Sequence, residues 1–322
     1  MPAIVPSAFR AVMPEMNTSR PLASIAVAWE KCPLGGRSRS EVICRFAIVR
    51  PPALGSATTN ATGAARVPSL EQDMNSVTVS REIPAREIPD RIEDRLIVAL
   101  DVPSVEEARA LIERLGGVVS FFKLGLWLQF ATGFERLIDN LLAADKRIFL
   151  DTKMFDIGET VRQGVARAAE RGVSFVTVHG DDDIIRAAAD GKGGSSLRVL
   201  VVPVLTSLDA AGLNQLGYRG SLAELIAARA RAAAQSGCDG IIAAAHDNPH
   251  EIRRAAAAEN LLVVTPGIRP AGTPLDDHKR SGTPAQAIAA GADYLVVGRP
   301  IVKSDDPAGA AARIIAEMRS AL

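Results

Sequence analysis

The sequence predicts an α/β protein built as a closed (β/α)₈ TIM barrel behind a poorly ordered N-terminal extension. Two observations carry the barrel. From Arg95 onward, eight short apolar runs alternate with eight helical stretches, the pattern of successive βα units. The runs are near-continuously apolar, as parallel strands covered by helices must be. A third observation weighs against the main alternative. No Gly-x-Gly-x-x-Gly follows the first run, so a dinucleotide-binding open sheet lacks its fingerprint.

The chain before the barrel has a different texture. Pro, Ser, Gly and Arg are scattered through it, and short apolar pieces such as Ile25 to Trp29 never build a period. Ser56 to Gly63 is low in complexity. Arginine with hydroxyl residues faintly suggests a transit peptide, but Glu15, Glu30 and Glu41 weigh against it. No charged n-region followed by an apolar h-region marks a secretory signal. A start at Met74 is an alternative. The expectation is a dispensable, loosely packed extension over residues 1–90 and a catalytic barrel over 91–322.

The strands are expected at Leu96–Leu100, Val118–Leu124, Arg147–Lys153, Ser174–His179, Val199–Leu205, Gly240–Ala245, Leu261–Pro266 and Tyr294–Gly298. The helices fall at Val105–Leu115, Leu126–Leu142, Thr160–Glu170, Asp182–Ala189, Leu222–Gln235, Pro249–Ala258, Pro284–Ala290 and Pro307–Met318. Ser104 caps the first helix, with Glu107 three residues on.

Bulk properties narrow the function. The formal net charge is zero, which gives no reason to invoke nucleic acid or an acidic membrane surface. No apolar run approaches the roughly 20 residues needed to span a bilayer. Cys32, Cys44 and Cys238 are odd in number and match no zinc spacing, so reduced thiols in a cytoplasmic protein are expected.

In a barrel of this kind the active site lies at the C-terminal ends of the strands. Those ends read Asp101, Lys123, Asp151-Thr152-Lys153 with Asp156, His179, Thr206, Thr265-Pro266-Gly267-Ile268-Arg269 and Gly298-Arg299. Residues two apart on a strand share a face, so Asp151 and Lys153 point together, with Thr152 opposite and Asp156 in the following loop. Lys123, Asp151, Lys153 and Asp156 alternate in sign. Converging in one mouth, they would hold each other ionised without a metal, and Lys153 would stay protonated and able to donate. Structural ion pairing is the alternative, and the position at a strand end in a repeating strand–helix pattern favours chemistry over it. Gly298 and Arg299 follow the eighth strand, where barrels often bind phosphate, and Arg269 after the seventh can serve the same anion. Asp101 is available to substrate hydroxyls. His179 is more readily structural than catalytic. His246, His250 and His278 show no ligand spacing, so no metal site is expected.

Together these residues resemble the orotidine 5′-phosphate decarboxylase family in its bacterial form. The resemblance runs from about Asp94 to the C-terminus. It rests on Ala99-Leu100-Asp101, Phe122-Lys123-Leu124-Gly125, Leu150 to Ile157 with Thr160, Val204-Leu205-Thr206-Ser207, Thr265 to Pro270, and Val297-Gly298-Arg299-Pro300-Ile301. It implies decarboxylation of orotidine 5′-phosphate to UMP with no cofactor. Asp101 and Lys123 would hold the ribose hydroxyls, and Asp151 would face the substrate carboxylate. Lys153 would protonate carbon 6. Asp156, Ile157 and Thr160 would reach the neighbouring subunit's site in a homodimer. Thr206 would lie near the base, and Arg269, Gly298 and Arg299 at the phosphate. Ser207 to Gly220 would be the lid. One departure is His278, where the family usually has glutamine; a histidine can also donate to phosphate, but its contact depends on pH. The acidic run Asp181-Asp182-Asp183 is another. Competing readings are a magnesium-dependent sugar-phosphate barrel, which also uses Asp-x-Lys-x-x-Asp, and a barrel that has lost catalysis. Thr265 to Arg269 argues against the first, and the intact charged set against the second.

Overall fold

In a computed structural model that describes residues 86–270 and 281–322, eight strands form one closed, wholly parallel barrel in the order β1 to β8. They are β1 Leu96–Ala99, β2 Phe121–Gly125, β3 Arg147–Met154, β4 Phe175–Val178, β5 Arg198–Val201, β6 Gly240–Ile242, β7 Leu262–Thr265 and β8 Tyr294–Val297. The register closes where Leu96, Ile97 and Val98 pair with Leu295, Val296 and Val297. β1, β4, β7 and β8 stop one residue short of their expected ends, β6 three and β5 four, because the last residues turn into loops at the barrel mouth, while β2 and β3 each run one residue further.

The helices are α1 Val105–Arg114, α2 Phe134–Ala143, α3 Gly158–Glu170, α4 Asp182–Lys192, α5 Ala210–Gln215, α6 Leu222–Ser236, α7 Pro249–Ala256, α8 Pro284–Ala289, α9 Arg299–Val302 and α10 Pro307–Arg319. Ser104 does cap α1, accepting from the Glu107 amide. Proline opens α7, α8 and α10, where a missing N–H costs nothing. The single helix expected over Leu126–Leu142 is broken. A 3₁₀ turn over Trp127–Phe130 ends at extended Ala131, and Gly133 at φ +87° starts α2 afresh. The left-handed conformation, which glycine adopts without penalty, explains the break.

Two apolar layers result. Outward-facing strand residues such as Val98, Phe122, Ile148 and Val176 pack under the helices. Inward-facing residues fill the barrel: Ile97, Phe121, Phe149, Phe175, Leu200, Val264, Tyr294 and Val296 among them. Phe175 sits edge-on to Phe121, Phe149 and Tyr294 at 4.9, 5.9 and 5.2 Å between centroids, so aromatic edges and faces plug the interior.

Ion pairs secure the N-terminal floor. Asp239, just before β6, accepts from the Val199 amide at 2.8 Å and pairs with Lys192 at 2.5 Å. Asp293, just before β8, accepts from the Val263 amide at 2.8 Å and pairs with Arg253 at 2.5 Å. Each carboxylate stitches adjacent strands where their ladder begins. Residues 86–90, placed with the extension on sequence, also pack here. Ile88 lies against the inner layer, and Arg198 donates to the Glu87 carbonyl at 2.7 Å. Packing therefore begins several residues before the boundary that composition suggests. The rest of the expected extension, residues 1–85, lies outside the described residues, as do Cys32 and Cys44.

Arg253 is 1% exposed and also donates to the Leu261 and Gly291 carbonyls. Arg253→Ala removes the close partner of buried Asp293 and leaves it the Val263 amide and a longer, 3.7 Å pair with Arg86. Urea denaturation should show a loss of about 3–5 kcal/mol, the usual cost of breaking such a pair. A loss under 1 kcal/mol would show that Arg86 and the Val263 amide suffice for the Asp293 carboxylate.

Candidate active site

The C-terminal mouth of the barrel holds a cavity of about 540 Å³, a size suited to a nucleotide-scale ligand. Its centre is a chain of alternating charges. Asp151 on β3 accepts from Lys153 Nζ at 2.7 Å through Oδ1, and its Oδ2 lies 3.3 Å from Lys123 Nζ. Lys123 on β2 is buried and also donates to Asp101 Oδ1 at 3.1 Å. Four residues from three strand ends thus meet: Asp101, Lys123, Asp151 and Lys153.

Local backbone geometry makes this possible. The pairing of β3 with β4 shifts register between Leu150 and Met154. Within that irregularity Lys153 adopts φ +47°, a left-handed conformation that costs a side-chain-bearing residue about 1–2 kcal/mol. Thr177 on β4 holds it there. Its hydroxyl accepts from the Lys153 amide at 2.9 Å and donates to Asp151 Oδ1 at 2.9 Å, while Thr152 donates to the Thr177 carbonyl. Asp151 and Lys153 meet as expected, but through a bulge and a threonine clamp rather than simple alternation. Gly125 clears the other side. A Cβ there would lie 2.6 Å from Asp101 Oδ1 and 3.4 Å from Lys123 Nζ, so any side chain would displace this pair.

Electrostatics favour the ionised forms of Lys123 and Asp151. Burial works to lower the Lys123 pKa, but Asp151 and Asp101 outweigh it and raise it above the ordinary lysine value. Burial likewise works to raise the Asp151 pKa. Lys123, then Lys153, and hydrogen bonds from Lys153 and Thr177 overcome it and hold the carboxyl below its ordinary range.

Of the other expected site residues, Thr206, Arg269, Gly298 and Arg299 line the same cavity. Asp156, Ile157 and Thr160 do not. Asp156 and Ile157 lie on the exposed segment leading into α3, Thr160 is exposed in its first turn, and Asp156 accepts from the next amide, Ile157 N, at 2.7 Å. Within one chain the charged cluster is Asp101, Lys123, Asp151 and Lys153, and Asp156 stands outside it. The loop after β3 carries Asp156 away because the strand has ended. His278 lies outside the described residues. His179 is structural, its Nδ1 2.6 Å from the Val202 carbonyl and its ring edge-on to Phe155. Burial, with smaller contributions from Arg229 and Lys153, lowers its pKa. Cys238 is a fully buried free thiol, pushed by burial up to about 12.

Sequence reasoning missed four residues. Thr177 was visible only as a lone polar residue in the run Phe175–Val178. Gly125 stood in a quoted motif without a role. Trp127, just beyond β2, and Lys303, just beyond α9, also line the cavity, and nothing in their sequence context marks them.

Comparison with known proteins now bears on the site. Residues 94–314 match the model of the Orotidine 5′-phosphate decarboxylase / HUMPS family. The chain belongs to that family. A relative from Nitrobacter winogradskyi named orotidine 5′-phosphate decarboxylase is 47% identical over 233 residues, covering 72% of this chain and 96% of its own. A relative of the same name from Methylococcus capsulatus is 48% identical over 232 residues, covering 72% and 94%. The crystal structure of orotidine 5′-phosphate decarboxylase from Lactobacillus acidophilus matches with a TM-score of 0.61 at 34% identity, over 70% of this chain and 99% of that one. The matched region takes in every strand of the barrel and the whole charged cluster.

The depressed Asp151 pKa carries a sign. Its stabilisation is present above the ordinary carboxylate value of about 4 and is lost as pH falls through the lowered folded value. Asp151→Asn should be less stable than wild type by about 1–3 kcal/mol at pH 7, with the gap closing as the solution is acidified below about pH 4. Denaturant melts across that range measure it. A gap unchanged down to the most acid condition would mean that charge is not what Asp151 contributes.

Proposed function

We propose that this protein decarboxylates orotidine 5′-phosphate to UMP, the last step of de novo pyrimidine synthesis, by a carboxy-lyase reaction needing neither metal nor organic cofactor. One observation carries the reading: a buried carboxylate held between two lysines, one of which faces a cavity that also takes in Arg269 and Arg299. The names of relatives at 46–48% identity support the substrate.

The chemistry follows from the charges. The substrate carboxylate is placed against Asp151, where like charge disfavours the bound ground state. The bond to carbon 6 breaks, carbon dioxide leaves, and the electron pair stays on carbon 6. That carbon has no adjacent electron sink, so the main stabilisation is a preorganised cation, and Lys153 supplies it. Lys153 Nζ then gives its proton to carbon 6 and regains one from water. Asp101 and Lys123 hold the ribose hydroxyls, and Thr206 approaches the base. Arg269, Gly298, Arg299 and His278 receive the phosphate, whose binding far from the reacting carbon helps order the site. Both inner carboxylates already face lysine, an arrangement that requires no external cation.

A homodimer completes the site in this reading, with Asp156, Ile157 and Thr160 reaching the neighbouring cavity. Phe155 and Ile157 are 68% and 73% exposed, and Leu126, Trp127 and Phe130 are exposed near the ends of neighbouring strands. Apolar side chains left in water around a strand end are what a partner subunit would cover. The buried thiol of Cys238 fits a cytoplasmic setting.

Purified protein should lower the ultraviolet absorbance of orotidine 5′-phosphate equally with and without chelator. Lys153→Ala should lose at least about four orders of magnitude in kcat, as expected when the main electrostatic group and the proton donor vanish together. A chain trimmed to residues 86–322 should match the full-length rate. Absence of turnover by wild type would sink the reading, and loss of activity with chelator would redirect it to magnesium-dependent sugar-phosphate chemistry.

Sedimentation should give twice the chain mass. Ile157→Asp, which places charge in the proposed interface, should yield monomers with little activity. A fully active monomer would refute the shared site.

A further inference from the structure

The segment from Ser207 to Gly220, expected as the lid, is more ordered than a loop and less attached than a helix pair. It contains α5, capped by Asp209, and its near end lines the cavity through Leu205, Thr206 and Ser207. Every residue from Asn214 to Gly220 is exposed, and Leu213 is the lid's buried anchor. A cavity of about 210 Å³ separates its far end from α6. Among the described residues, the hydrogen bonds of residues 210–220 run inside the lid, with one exception. Arg229, on α6, donates from Nη2 to the Tyr218 hydroxyl at 2.5 Å, with its guanidinium 5.5 Å from the Tyr218 ring centre. The same guanidinium donates from Nη1 to the Pro203 carbonyl at 2.5 Å. Pro203 directly follows Val202, a cavity-lining residue whose own carbonyl meets His179.

We infer that Arg229 is a positioning residue that latches the lid. One planar, always-charged fork joins the strand end from which the lid departs to the tyrosine at which it returns. Fixing both ends of a loop removes most of the entropy that a ligand would otherwise have to quench when it orders that loop. Residues 210–220 have no other polar tie to the barrel among the described residues, so the latch sets how much binding free energy goes into ordering the lid. Arg229 need not touch the ligand. It acts through Tyr218 and Pro203 on Thr206 and Ser207. The inference rests on the proposed substrate for its kinetic readout, but not for its mechanical one.

The test compares wild type with Arg229→Ala, Tyr218→Phe and the double variant in the full-length protein. Tyr218→Phe removes one hydroxyl and nothing else. Arg229→Ala should raise KM for orotidine 5′-phosphate, and Kd for UMP by calorimetry, about tenfold, the equivalent of one charge-assisted hydrogen bond. Tyr218→Phe should raise both about threefold, kcat should change less than twofold, and the double variant should be no worse than Arg229→Ala. Trypsin cleavage after Arg219, inside the lid, should quicken in each variant without any ligand, while the midpoint of thermal unfolding for Tyr218→Phe stays at the wild-type value. KM, Kd and Arg219 cleavage all unchanged in both single variants would overturn the latch. If wild type fails to turn over or to bind UMP, the substrate reading fails, and the cleavage rates alone decide the latch.

Discussion

The Asp151 carboxylate, buried between the ammonium groups of Lys123 and Lys153, is the constraint on which the rest of the mouth depends. A lone carboxylate in that position would take up a proton or draw in water. Two lysines keep it ionised, and it keeps Lys123 charged in turn. Neither partner is stable there without the other. Lys123 and Asp151 therefore stay ionised over the neutral range, and a ligand entering the cavity meets fixed charges that need not reorganise.

Holding that arrangement requires deviations from ideal barrel geometry. β3 shifts register, Lys153 takes a left-handed backbone conformation, and Thr177 spends its hydroxyl on both the amide of Lys153 and the carboxylate of Asp151. Strain at a functional residue persists when its surroundings over-determine it, and Thr177 is that surrounding. The opposite end of the barrel uses similar chemistry to different effect. Asp239 and Asp293 are paired to Lys192 and Arg253, but each also takes a backbone amide of the preceding strand. Those carboxylates are spent on joining strands. At the mouth, Lys153 and Asp101 keep part of their side chains open to the cavity.

The surface around the mouth divides into two regimes. On one side the segment after β3 leaves Phe155 and Ile157 in water and carries Asp156 clear of its own cluster. On the other, Arg229 supplies the polar tie of residues 210–220 to the barrel body among the described residues.

The sequence by itself determined the fold class, because eight apolar runs alternating with helical stretches can bury their faces in few other ways. It also determined which strand ends line the cavity, since polar and charged residues at the close of apolar strands stand out against their surroundings. Asp101, Lys123, Asp151, Lys153, Thr206, Arg269 and Arg299 were legible on that ground. Tertiary structure decided what lies across strands. Thr177 matters only because β4 runs beside a bulge in β3, and Gly125 only because Asp101 folds over it from β1. Trp127 and Lys303 reach the cavity from turns whose direction no periodicity encodes. Asp156 was legible as a loop residue, and tertiary structure decided that it lies outside its own chain's cavity. Spacing along a sequence reports which face a residue takes only while the strand lasts, and β3 ends at Met154.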